Sequence, residues 1–122
     1  MTIVSGGTGN AGVSQASADA TYAKKPTFQT ASPTTGQTVV MTDDDTDGTL
    51  YITPAGALAA LTITFPSDAN SRVGQWRRVA CTKAVAALTL GGVTVLNATS
   101  SLIINDCFTF EKITANTWIL LQ

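Results

Sequence analysis

The chain has 122 residues and a mass of 12.6 kDa, which indicates a single domain and excludes a large multidomain enzyme. Seven Lys and Arg residues against eight Asp and Glu give a net charge of -1, so the basic stripe of a nucleic-acid-binding protein is missing. Histidine is absent, which removes the commonest general base and metal ligand, and no apolar run reaches the roughly 20 residues of a membrane span.

Residues 1–36 predict an N-terminal arm. The region is rich in Gly, Ala, Ser and Thr, and its large apolar residues are too few to fill a core. They are spaced like anchors, so we expect the following residues to dock on another surface: Ile3, Val4, Val13, Tyr22 and Phe28. Apolar residues at helical spacing allow a short helix over 13–23, which Pro26 would end. No signal-peptide pattern opens the chain, so secretion by that route is not expected.

Residues 37–122 predict a β domain, because the apolar pattern there alternates with a period of two. Short strands separated by turn signals are predicted at 37–41, 49–53, 61–65, 75–81, 85–90, 93–96, 102–104, 107–113 and 117–121. No helical segment lies between them. The predicted fold class is therefore all-β, a compact antiparallel sandwich or barrel of about seven to nine short strands. No fixed repeat period is visible, which argues against a solenoid.

The core of this domain is predicted from the apolar members of the strands, which are Leu61, Ile63, Phe65, Phe108, Phe110 and Trp118. Charged residues make up only 12% of the chain, so the surface of a monomer would be unusually apolar. Such a surface is easiest to understand if partner subunits cover part of it. The composition thus predicts an oligomer whose contacts involve the same β domain.

No motif for catalysis or cofactor binding stands in its proper context. Residues 7–12 spell GxGxxG, but no βαβ unit and no acidic residue at the expected distance follow, so a flexible or close-packed glycine segment is the better interpretation. Cys81 and Cys107 have no histidine to activate them. We interpret both as buried thiols and expect a protein that is not an enzyme and needs no cofactor.

An acidic segment is a weak candidate for a metal site. Asp43, Asp45 and Asp47, followed by Gly48, match the opening of a calcium-binding loop. Position twelve of that loop is Pro54, where a bidentate glutamate is needed. An acidic hairpin turn is the alternative interpretation, and a shared cation gains support only if several copies of the loop meet at a symmetry axis.

The basic residues concentrate in one region, at Arg72, Arg77, Arg78 and Lys83, next to Trp76. In a strand, Trp76 and Arg78 would share one face while Arg77 takes the other, so they do not form a single anion cradle. A solvated edge or a subunit contact is the expected role. A glycan or phosphate contact is the alternative, and a glycan would use the rings of Trp76 and Tyr51.

Residues 5–9 (SGGTG) and 18–25 (ADATYAKK) resemble low-complexity segments of tailed-bacteriophage fibre proteins. The remainder, from residue 48 onwards, is similar to small β-structured domains of phage virion proteins. The matching segments include LYI, PAG and LTI, followed by a closing hairpin with Phe108, Phe110 and Trp118. The resemblance is to trimeric structural proteins of the virion, and it extends over most of the chain.

This resemblance implies a non-enzymatic homotrimer, assembled in the host cytoplasm, that attaches to the virion by residues 1–36 and projects residues 37–122 outward. Its partners would be its own copies and the major capsid protein or another virion protein, with no nucleic acid and no membrane. The chain has no repeated shaft, which favours a capsid decoration (cement) protein or short head fibre. The alternative is a tail-fibre or receptor-binding module that recognises a host surface glycan.

Overall fold

Short strands joined by tight turns dominate the computed structural model, which describes residues 25–121. The strands are β1 (Thr27–Ala31), β2 (Thr38–Val40), β3 (Gly48–Ile52), β4 (Leu58–Thr64), β5 (Trp76–Cys81), β6 (Val85–Gly91), β7 (Thr94–Leu96), β8 (Cys107–Thr114) and β9 (Thr117–Leu121). One short 3-10 helix (Asp68–Asn70) follows β4. The predicted all-β class with about seven to nine short strands is confirmed, and the described residues contain no α-helix.

The first six strands alternate between two sheets that enclose the core. Strands β1, β3 and β5 belong to a six-stranded sheet of order β1-β3-β5-β8-β9-β7, and β2, β4 and β6 form a three-stranded sheet. The consecutive pairs β1–β2, β3–β4 and β5–β6 therefore each make one turn of a flattened coil. The three coils stack so that the equivalent strands of neighbouring coils pair in parallel. The β8–β9 hairpin continues the larger sheet beyond the third coil.

The sheets are mixed, whereas the sequence predicted antiparallel pairing. Antiparallel pairing occurs at β5–β8 and β8–β9, while the five other strand pairs are parallel. Consecutive strands lie in opposite sheets, so each strand in the coils pairs with one two positions later that runs in the same direction. The prediction against a solenoid-like path is also wrong. The coils differ in length, since Thr27 pairs with Gly48 but Gly48 pairs with Arg77, and unequal coils leave no fixed period in the sequence.

The core lies between the two sheets and is closed by an aromatic cluster. Five of the six predicted core residues are buried, and Phe108 is half-buried against them. The Phe65 ring lies 5.1 Å from Phe110 in an edge-to-face arrangement and 5.2 Å from Trp118. These contacts join the loop after β4 to the β8–β9 hairpin.

The two ends of the coil stack are covered differently. At the third coil, Val85 exchanges backbone hydrogen bonds with Leu102, so the segment before β8 covers the edge of β6. At the first coil, the Gln29 side chain donates to the Val40 carbonyl at 2.8 Å and accepts from the Thr42 N–H at 3.0 Å. This amide takes the place of a neighbouring strand beside β2, whereas β1 is the edge strand of its sheet among residues 25–121.

Strand β1 lies within the region predicted as the arm. It pairs with β3 along its whole length, so the sheet already includes Thr27, ahead of the predicted boundary between residues 36 and 37. The predicted helix over 13–23 and four of the five predicted anchors, Ile3, Val4, Val13 and Tyr22, lie outside the described residues.

Replacing Gly48 by alanine is expected to loosen β1 from the sheet. A Cβ atom at this buried position would collide with the Thr27 carbonyl oxygen and lie 3.0 Å from the Thr27 nitrogen. We expect a loss of about 1–3 kcal/mol in the free energy of unfolding, as for other overpacked sites. Gly56→Ala is the matched control, because a Cβ there meets nothing within 4 Å. Urea denaturation of both variants tests this, and equal midpoints would show that β1 is not packed this closely.

Candidate functional site

The six-stranded sheet has a broad side that faces away from the core. Because paired residues point to the same side of a sheet, the register arranges its outward side chains in three rows. We call these residues the outer face. The first row is Thr30, Tyr51, Ala80 and Cys107; the second is Phe28, Thr49, Arg78, Thr109 and Leu121; the third is Trp76, Glu111, Ile119 and Leu96.

The outer face is apolar and nearly uncharged. Phe28 is 66% exposed, and Leu96 and Leu121 are each 43% exposed. Only Arg78 and Glu111 carry a charge within the outer face, and they lie on the two central strands, β5 and β8. Exposed apolar surface of this kind is typical of a surface that binds another protein.

Aromatic side chains stand in two groups on this surface. The Arg78 guanidinium lies 5.1 Å from the centre of the Trp76 ring, which is a favourable cation–π distance. Phe28 and Tyr51 have ring centres 6.0 Å apart. The predicted split of the basic residues is confirmed, since Arg77 points to the opposite side of β5 and is only 3% exposed.

The acidic segment is a structural loop whose carboxylates turn to different partners. Asp43 accepts from the Ser67 N–H at 2.7 Å and from the Asn70 amide at 3.0 Å. Asp47 accepts from the Trp76 N–H at 2.9 Å and pairs with Arg72 at 3.1 Å. The candidate metal site at Asp43, Asp45 and Asp47 finds no support in this geometry, because residues 25–121 hold no group of three or more metal-binding side chains.

The buried side chain of Arg77 holds the acidic segment, residues 42–47, in place. The Arg77 guanidinium donates to the carbonyl oxygens of Thr46 at 2.8 Å and Thr42 at 3.0 Å, and pairs with the Asp44 carboxylate at 2.8 Å. Burial lowers the pKa of Arg77, and the charge of Asp44 opposes that shift. Gln75 is fully buried and donates to the Asp44 and Thr46 carbonyls. Arg77 therefore serves the fold and is not available to an external anion.

A third ion pair fixes the loop between β4 and β5 to the closing hairpin. The buried Lys112 ammonium lies 2.8 Å from the Asp68 carboxylate, which also accepts from the Asn116 N–H at 2.6 Å. Lys112, and then the Asn116 N–H, lower the pKa of Asp68. The Ser67 N–H, followed by the Asn70 amide, lowers the pKa of Asp43. Both carboxylates thus favour the folded state when they are charged.

We expect the protein to lose stability in acid through these two residues. A carboxyl whose pKa is lower in the folded state adds stability above its ordinary pKa, near 3.8, and loses it as the pH falls through the folded-state value. The Asp43→Asn/Asp68→Asn variant should be less stable than the wild type at neutral pH, and the difference in stability should shrink as the pH falls below 3.8. Urea midpoints across this range test the prediction; a difference that persists unchanged in acid would contradict it.

The two thiols differ in exposure. Cys81 points into the core and is 2% exposed, and burial raises its pKa. Cys107 is exposed, so the prediction of a buried thiol is wrong at this position. It begins β8 opposite Ala80, and that register turns its side chain to the outer face.

An open cleft of about 440 Å³ lies between the loop that follows β1 and the loop that follows β3. Its lining is formed by residues 32–35, Thr53 and residues 55–58, none of which is charged. The Thr35 hydroxyl accepts from the N–H groups of Ala59 and Ala60 at 3.1 Å. These polar atoms stabilise the turn between the two sheets. They do not converge on one point, as the polar groups of a catalytic site do.

Sequence reasoning found part of the outer face. Trp76, Arg78 and Tyr51 were singled out, and Phe28, predicted as an anchor, lies at its edge on β1. Three outer-face residues were missed: Ile119, Leu121 and Leu96. The period-two alternation of 117–121 already placed Ile119 and Leu121 on the other side of the strand from Trp118 and Leu120.

Among residues 25–121 no helix is long and apolar enough to cross a membrane. A scan against protein-family models, a search of curated proteins and a search of solved structures found no match to this chain.

Proposed function

We propose that this chain is a non-enzymatic structural protein of a bacteriophage virion. In this proposal three copies associate through the β domain, and the N-terminal arm attaches the trimer to the capsid as a decoration (cement) protein or short head fibre. The observation that carries the proposal is the outer face, an exposed sheet surface with large apolar side chains and two charges. A surface of this composition favours contact with protein.

The rest of the described domain suits a rigid structural part. Three stacked coils and a hairpin are joined by buried polar contacts at Arg77 and Lys112, which leaves little freedom in the loops they anchor. The carboxylates of Asp43, Asp44 and Asp47 are hydrogen-bonded to the loop between β4 and β5 and to strand β5 itself. This use of polar groups supports a scaffold role over catalysis.

The arm provides the second contact in this proposal. Its partner would be the major capsid protein or another virion protein, and its anchors would be Ile3, Val4, Val13, Tyr22 and Phe28. Phe28 supports the idea, because a phenylalanine that is 66% exposed lies at the edge strand where the arm joins the sheet. Docking a large apolar side chain contributes roughly 1.5–3 kcal/mol, and three arms add by avidity.

A receptor-binding module that recognises a host glycan is the second candidate. It is favoured by the aromatic rings of Trp76 and Tyr51 on one surface, since sugars stack on exposed rings. The Arg78 guanidinium already lies over the Trp76 ring, so a sugar would have to displace it. We therefore place this candidate second. Binding of the free protein to a glycan array would favour it.

Particle binding tests the proposal. Purified protein would be sedimented with capsids of the phage that encodes it, stripped of this protein. Phe28→Ala should weaken binding by about tenfold, as expected when an apolar anchor is lost. Ile103→Ala is the matched control, because Ile103 is 67% exposed and outside the outer face. Removing residues 1–24 should abolish binding and leave the trimer intact. Unchanged binding of the truncated chain would contradict the role of the arm.

A further inference from the structure

We infer that the part of the outer face on β5, β8 and β9 is the contact between copies of this chain, with Arg78 of one copy paired to Glu111 of the next around a threefold axis, while Phe28 on β1 stays free for the capsid contact. The inference rests on the proposed function, because it names the surface through which the proposed trimer forms. The occupant of this part of the outer face is thus a second copy of the chain.

The first argument is charge complementarity. In the described part of the chain, the three ion pairs use Arg72, Arg77 and Lys112 as their cations. Neither Arg78 nor Glu111 takes part in these pairs, although both stand on an otherwise uncharged surface. One unpaired cation and one unpaired anion make the surface complementary to a copy of itself.

The second argument is the position of these two residues. Arg78 lies opposite Thr109, and Glu111 lies opposite Trp76, so the two charges occupy adjacent rows on the two central strands. A contact that joins Arg78 of one copy to Glu111 of the next is heterologous, because the two copies contribute different residues. Such contacts close into a ring of three copies when each copy is rotated by about 120 degrees from the one before it. Every copy then uses both charges once.

The apolar flanks supply the remaining contact area. Trp76 and Ile119 lie in the same row as Glu111, and Leu121 lies in the row of Arg78. Association would cover these side chains and remove the charged pair partly from water, which strengthens the attraction between the two groups. The charges would set the orientation of the copies while the apolar side chains supply most of the affinity.

Cys107 offers a native reporter in the first row of the outer face. It is exposed, whereas Cys81, the other cysteine of the sequence, is buried. A thiol reagent of moderate size therefore reacts first at Cys107 in the free chain. Association through the outer face should slow that reaction, and a trimer formed through another surface should leave it fast.

Charge reversal tests the pairing in the full chain. Arg78→Glu and Glu111→Arg should each raise the dissociation constant of the trimer by about tenfold or more and speed modification of Cys107. The double variant restores opposite charges and should recover both readouts. Lys83→Glu is the control for Arg78→Glu, since it makes the same change in net charge in the turn after β5. Circular dichroism confirms that each variant folds.

The outcomes separate this inference from the proposed function. A trimer that persists in both single variants, with Cys107 still protected, would overturn the Arg78–Glu111 contact and leave the trimeric virion protein standing. Loss of the trimer in the single variants without recovery in the double variant would also overturn the pairing. A wild-type chain that stays monomeric at micromolar concentration would overturn both.

Discussion

Replacing Trp118 by alanine is expected to lower the free energy of unfolding by about 3–5 kcal/mol, the usual cost of deleting a buried aromatic ring. Trp118 is fully buried and packs on Phe65 at 5.2 Å between ring centres. The deletion would leave a cavity between the β8–β9 hairpin and the loop after β4. For a domain of this size the loss is a large share of the total stability.

A second substitution at Trp118 separates the effect of the lost side-chain volume from the effect of the indole N–H. The Trp118 indole nitrogen is buried and has no hydrogen-bond partner among the described residues, and an unpaired buried donor is itself destabilising. Trp118→Phe removes that donor and keeps most of the ring, so its cost should stay below about 1.5 kcal/mol. Phe28→Ala, at a ring that is 66% exposed, should change stability by less than about 0.5 kcal/mol.

Urea denaturation at one fixed protein concentration measures these three variants, because an oligomer gains apparent stability as its concentration rises. The expected order of stability is Phe28→Ala, then Trp118→Phe, then Trp118→Ala. If Trp118→Ala unfolds at the same midpoint as Phe28→Ala, Trp118 does not lie in the core and the packing of the hairpin described above is wrong.

Replacing Arg77 by methionine is expected to cost about 3–5 kcal/mol, as when one partner of a buried ion pair is removed. The change would leave the carbonyl oxygens of Thr42 and Thr46 without their guanidinium donor and the Asp44 carboxylate without its cation. Methionine has a similar length and fills the apolar part of the site, so the loss reports the polar contacts.

Two further variants compare the buried cation Arg77 with its carboxylate partner Asp44 and with the exposed cation Arg72. Asp44→Asn keeps an oxygen that accepts from the Arg77 guanidinium but leaves this buried cation without its carboxylate, so it should cost about 1–3 kcal/mol. The cost stays below that of Arg77→Met, which also leaves two carbonyl oxygens without their donor. Arg72→Met removes an exposed ion pair with Asp47 and should cost about 0.5 kcal/mol or less. Thermal unfolding of the three proteins checks this order. Equal losses for Arg77→Met and Arg72→Met would show that Arg77 is not the anchor of the acidic loop.

The strands were largely predictable because their local signals are strong. The predicted strand at 61–65 overlaps β4 over residues 61–64. The turns at 97–100, 105–106 and 115–116 each contain an asparagine with positive φ, at Asn97, Asn105 and Asn116. Asparagine is among the few residues that adopt this conformation easily. Local chemistry thus located the elements, and it also located the closing hairpin.

The pairing of the strands was not predictable from the same signals. Alternation with a period of two reports that a strand has one buried side, and it does not report which strand lies beside it. The corner at residues 32–37 sends the chain from one sheet to the other, and nothing in its composition distinguishes that turn from a hairpin. Strand β1 was missed because its inward residues, such as Gln29, are polar or small.

The candidate site was partly predictable. Alternation correctly separated Arg78 from Arg77, because side chains in a strand change sides at every residue. The exposure of Cys107 depends on its register with Ala80, and a strand register is a tertiary property that the local sequence does not report. The partners of Asp43 and Asp47 also lie on distant loops, so an acidic run alone resembled a calcium loop.

Native mass spectrometry of the full chain at micromolar concentration tests the central claim most directly. The claim is that the chain works as a self-associating structural protein through its β domain. The predicted result is a single assembly with the mass of three 12.6 kDa chains, which persists when residues 1–24 are removed. A stable monomer, with or without the arm, would contradict the account.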